Sequence, residues 1–69
     1  MTPDLIARIG SALFGPQYQT ELGRALGVSR SCIVGWSKGR FQPRPRNVEA
    51  ARALIATRIQ ELRALRRLL

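Results

Sequence analysis

The sequence predicts an all-α fold of four helices, the last much longer than the others. Three observations carry this prediction. Apolar residues recur three and four apart within each of four segments, which is the helical period. Glycines, prolines and capping residues punctuate the chain where such helices begin and end. No segment alternates apolar and polar residues as a half-buried strand does.

The first helix opens at Thr2, a capping residue, with Pro3 suited to the first helical position and Asp4 to the positive end of the dipole. Leu5, Ile6, Ile9 and Leu13 give it one apolar face, and Gly15 ends it. A second helix is expected to start at Pro16 and run from Gln17 to about Leu26. Its buried stripe is Leu22, Ala25 and Leu26, with Tyr18 as an addition, and Gly27 closes it. Ser29 caps a third helix, Ile33 and Trp36 face its core, and Gly39 ends it. Phe41–Arg46 reads as an extended basic connector, because two prolines alternate with their restricted predecessors. The fourth helix is expected over Asn47–Leu69, with Asn47 as cap and Arg66 and Arg67 in the last turn. Residues 1–46 then form a core, and residues 47–69 add an extra helix to the same domain.

A chain of 69 residues is one small domain with a modest core. Twelve Lys and Arg against four Asp and Glu give a net charge of +8, and Lys38 is the only lysine. Arginine pairs bidentately with phosphate and with guanine edges, so this bias favours nucleic acid over a merely soluble surface. A single cysteine, Cys32, excludes an intrachain disulfide and suits a reducing compartment. No apolar run approaches a membrane span, and the N-terminal segment lacks the pattern of a secretory signal. A cytoplasmic protein is expected.

Two helices joined by a short glycine-containing turn suggest a helix-turn-helix. Gln19-Thr20-Glu21-Leu22-Gly23-Arg24-Ala25-Leu26-Gly27-Val28-Ser29, continuing through Ile33 and Trp36 to Lys38-Gly39, resembles the core of the Cro and lambda-repressor-like DNA-binding family. The matching segment spans 21 of 69 residues. The resemblance implies a lambda-repressor-like helix-turn-helix bundle with a long C-terminal helix. It also implies a sequence-specific regulator of transcription that binds double-stranded DNA. Short proteins of this kind include repressors of phages and mobile elements, antitoxins that repress their own operons, and regulators associated with anti-CRISPR genes. With no ligand-sensing segment legible, a phage-type autorepressor fits best, without cofactor or small-molecule ligand.

Each matching residue also has a physical reading. Gly23 sits where the two helices approach closely, and Gly27 supplies the positive φ of the turn. Leu22, Leu26, Val28, Ile33 and Trp36 fix the angle between the helices. With Ile33 and Trp36 inward, Arg30, Ser31, Val34 and Gly35 are expected to face the major groove and read bases. Arg30 leads, since arginine to guanine is the commonest specific contact. Family members often carry glutamine at the positions of Arg30 or Gly35, so this chain's site should differ and be richer in guanine. By resemblance, Gln19 binds the DNA backbone. Ser29, Lys38, Arg40, Arg44 and Arg46 are further phosphate candidates. Cys32, where the family often has threonine, reads as a small partly exposed residue rather than a redox switch.

The last helix carries more apolar surface than one small core absorbs. Val48, Ile55, Leu62 and Leu69 lie seven apart, and Ala51, Ile59 and Leu65 widen the stripe. These residues are the expected homodimer interface, although Arg58 breaks a clean heptad. An enzyme is not expected. The chain has no histidine, no metal-ligand cluster and no phosphate-cradling glycine loop, and its four carboxylates are scattered. The rival function is an adaptor or inhibitor that uses the same fold to bind an acidic protein.

Overall fold

A computed structural model covering residues 1–69 is all-helical, with α1 at Pro3–Phe14, α2 at Gln19–Leu26, α3 at Arg30–Ser37 and α4 at Pro45–Leu68. No strand forms.

Thr2 caps α1 as its residue type dictates: its hydroxyl accepts from the Leu5 N–H at 3.3 Å. Gly15, at φ 87°, closes the helix by donating its N–H to the Ser11 carbonyl. The buried face of α1 is Ile6 and Gly10, rather than the whole expected stripe. Leu5 is exposed and Ile9 half-buried. Gly10 is buried because the Tyr18 ring lies flat against its backbone, where a Cβ would collide with the ring.

That contact also corrects the start of α2. Pro16 and Gln17 form a turn, and the helix begins only at Gln19. Proline's fixed φ suits the turn that follows Gly15 as well as it suits a helix start. Tyr18 must swing back onto Gly10, so the turn prevails. Tyr18 is buried in the core, whereas Ala25, expected in the stripe, is exposed. Gly23 faces inward instead, and Ala25 lies two residues on, roughly 200° round the helix.

Gly27, at φ 72° and ψ 28°, turns the chain from α2 into α3. Val28 donates its N–H to the Gly23 carbonyl at 2.9 Å. A Cβ on Gly23 would stand 2.9 Å from the Val28 carbonyl oxygen, so no larger residue fits this approach. Ser29 caps α3, its hydroxyl accepting from the Cys32 N–H at 3.1 Å. Ile6, Tyr18, Leu22, Ile33 and Trp36 form one cluster, in which Leu22 and Ile33 are sealed from solvent. Each of those two contributes about 1.5–3 kcal/mol by burial.

The connector is shorter than expected. Pro45 is the first residue of α4, and Arg44, extended at φ −71° and ψ 156°, is its cap position. A residue before proline prefers that conformation, and proline's φ is preset for a first helical turn. Asn47 therefore lies inside the helix, buried, rather than capping it.

α4 has 24 residues. At 1.5 Å per residue it is about 36 Å long. It sets the 42 Å long axis of a molecule otherwise 23 by 19 Å. Only Asn47 and Ala51 on it are buried, with Leu54, Ile55 and Arg58 half-buried. Arg58 is the last residue of α4 that is not exposed. Its guanidinium donates to the Leu13 carbonyl at 2.8 Å and stacks 5.6 Å from the centre of the Phe14 ring. Every residue beyond it is exposed.

Candidate nucleic-acid interface

α3 lies against α1 and α2 through Ile33 and Trp36, which decides what it presents outward. Arg30 and Ser31, in its first turn, are exposed, and Val34 is half-exposed. Gly35, expected on the same surface, is buried. Phe41 folds back from the connector and lays its ring where a Gly35 Cβ would be. The outward surface of α3 is therefore Arg30, Ser31 and Val34, bordered by Phe41.

The expected phosphate residues lie on the segments before and after α3 and at the start of α2. Ser29 is exposed with its hydroxyl committed to the cap, and Lys38, Arg40, Arg44 and Arg46 are all exposed. Gln19 is half-exposed at the first position of α2. Its place at a helix N-terminus aligns backbone N–H groups with any incoming anion.

Charge pairing leaves the cations of this surface free, as it also leaves Arg8, Arg63, Arg66 and Arg67. The ion pairs are Glu21–Arg24, Glu49–Arg52 and Glu61–Arg58. None involves Arg30, Lys38, Arg40, Arg44 or Arg46. Between Glu21 and Glu49 the sequence contains no acidic residue at all, while α3, both its flanks and the start of α4 lie in that interval. Composition alone hides this signal, and reading charge by position reveals it.

Two concave features adjoin these elements. One, of about 370 Å³, opens between α3 and the start of α4, with Trp36 and Phe41 on its walls and Arg44 and Arg46 at its edge. The other, of about 260 Å³, is an apolar groove where Met1, Leu5 and Ile9 face Val48 and Ile55.

The expected dimer residues divide. Ala51 is buried inside its own fold, because α4 must seal the body there, and it is closed to a partner. Val48 and Ile55 are half-buried along the apolar groove. Ile59, Leu62, Leu65 and Leu69 are exposed on the projecting end of α4, Leu62 and Leu65 at 57%. No three His, Cys, Asp or Glu side chains gather as metal ligands, and no helix is long and apolar enough to cross a membrane. No family model matches the chain, and no curated protein or solved structure matches it either.

Proposed function

We propose that the chain is a sequence-specific double-stranded DNA-binding regulator of transcription. In this reading α2 and α3 act as a helix-turn-helix in a lambda-repressor-like bundle. α3 enters the major groove with Arg30 and Ser31 on base edges and Val34 against a thymine methyl. The observation that carries it is the stretch between Glu21 and Glu49, which contains α3 and no acidic residue and in which Arg30, Lys38, Arg40, Arg44 and Arg46 are all exposed. Gln19, Lys38 and Arg40 hold phosphates on either side, with Arg44 and Arg46 extending the grip. Two copies joined through the end of α4 bind an inverted repeat, and the regulator acts as a cytoplasmic repressor of a phage or mobile element.

Selection of bound sequences from a random duplex pool tests this directly. The expected result is an enriched, guanine-containing half-site that the protein prefers over random duplex. A protein that gains no preference over successive rounds, yet binds acidic polypeptides, is an interaction module instead.

A further inference from the structure

We infer that the groove between α1 and α4 receives the leucine-bearing end of α4 from a second copy of this chain, with the two α4 helices antiparallel. This rests on the reading that two copies pair through the end of α4, and it assigns that end a seat. α1 and the first half of α4 run side by side in the same direction. The Met1 amine donates to the Gln42 side-chain oxygen at 3.3 Å, just before α4, and Arg58 reaches the Leu13 carbonyl at the other end. Between these two ties, Met1, Leu5 and Ile9 face Val48 and Ile55 across a groove of about 260 Å³.

Three observations choose the occupant. First, the face of α4 that walls the groove continues unbroken into the projecting end. Val48, Ile55, Leu62 and Leu69 lie seven apart, as do Arg52, Ile59 and Arg66, and the two sets alternate by three and four, which is the repeat of a helix–helix seam. Second, α4 is one uninterrupted helix, so its end cannot fold back into the groove of its own chain. Third, the charges are complementary. Asp4 and Glu49 are neighbours in sequence of the groove residues Leu5 and Val48, whereas Arg63, Arg66 and Arg67 on the projecting end belong to no ion pair.

Direction and register follow. A parallel pairing would set end on end and leave both grooves open. An antiparallel pairing sets end on groove twice, once on each side of the two-fold axis, and so closes the assembly at two copies. With Ile55 of one protomer against Ile59 of its partner, the axis crosses near the middle of α4 (Pro45–Leu68), and the two helices overlap along their length. Leu62 and Leu65 of the partner then come level with Val48–Arg52, the part of α4 that walls the groove. The aliphatic stem of Arg52 covers apolar surface there while its guanidinium stays in water. Glu49 comes beside the partner's Arg63, both at positions flanking the seam, where opposite charges set orientation.

Sedimentation and cross-linking of the full chain, both without DNA, decide the matter. Leu5→Glu, with its helicity checked by circular dichroism, should weaken dimerisation at least about tenfold, although Leu5 lies on α1 and not on the end of α4. Glu49→Arg should weaken it about two- to fivefold, and adding Arg63→Glu should restore it. In a Cys32→Ala background, Glu49→Cys chains mixed with Arg63→Cys chains should form a disulfide-linked pair that neither forms alone. Leu62→Cys chains should not link to themselves, because the antiparallel register sets those two residues roughly 15 Å apart along the helix axis. Self-linking of Leu62→Cys, with no mixed product and no effect of Leu5→Glu, overturns the seat in the groove while pairing through the end of α4 stands. A monomer at micromolar concentration overturns both. A cross-linked dimer that binds no duplex removes the DNA-binding reading and leaves this inference intact.

Discussion

Phe41 limits what α3 presents. By covering Gly35, it shortens the outward surface to Arg30, Ser31 and Val34, and in the proposed DNA-binding reading discrimination then falls mainly on Arg30. Arg30→Ala should cost about 1–3 kcal/mol on the selected site and much less on random duplex. Competition binding with both DNAs measures this, and equal losses would reduce Arg30 to a phosphate contact. Gly10 permits a second prediction, because two opposing effects can be compared. Alanine there gains roughly 1 kcal/mol of helix propensity. It also drives a Cβ into the Tyr18 ring, itself packed in the core, and overpacking of that kind costs about 1–3 kcal/mol. Gly10→Ala should therefore lower the urea midpoint, and a raised midpoint would mean that the ring yields freely. Gly23 and Gly27 were legible in the sequence because their reasons are local: a close approach and a positive φ within one turn. Gly35 and Gly10 were not, because the rings that cover them come from Phe41 and Tyr18, on other segments.

At the scale of elements, the two misplaced helix starts have one cause. Pro16 and Pro45 carry the same local signal, since proline serves both turns and first helical positions. Tertiary contact separates them: Tyr18 has to reach Gly10, while nothing pulls Arg46 and Asn47 out of helical geometry. Arg58 shows the same limit. As a sequence feature it interrupts a heptad, but in the fold it satisfies the Leu13 carbonyl near the end of α1 and fastens α4. Arg58→Ala should cost about 1–2 kcal/mol in denaturant unfolding, in line with a hydrogen bond from a charged, partly exposed group. Arg58→Lys should recover only part of that, because an ammonium lacks the planar stack on Phe14. Full recovery with lysine would reduce the contact to simple charge. Lys38 and Arg40, just beyond α3, belong to this scale as well. Replacing either with alanine should weaken binding to every duplex and flatten the log–log salt dependence by about one unit. An unchanged slope in both variants removes them from the interface.

At the scale of the whole molecule, α4 performs two tasks along one face. Up to Arg58 that face seals the body through Ala51 and Leu54. Beyond it the face continues into solvent through Leu62, Leu65 and Leu69. A row of exposed leucines on a small monomer marks an interaction surface. A second copy offers the same row, so a two-fold pairing is self-complementary. Such a dimer sets two α3 helices to meet successive major grooves about 34 Å apart, on an inverted repeat. Each copy carries +8, so the copies repel, and added salt should strengthen dimerisation while it weakens DNA binding. That opposition of sign distinguishes an apolar interface from one held by ion pairs. A stop after Arg58 is a clean test, since residues 59–69 contribute nothing buried. Of the side-chain pairs it removes only Arg58–Glu61, whose largely exposed setting makes it worth little, and the helical hydrogen bonds lost are those of a solvent-exposed end. The truncated chain and Leu62→Glu should both fold, sediment as monomers and lose affinity for the full repeat. They should still bind one half-site about as weakly as the intact chain does. An intact chain that sediments as a monomer at micromolar concentration, and grips one half-site as tightly as the repeat, would exclude the dimer.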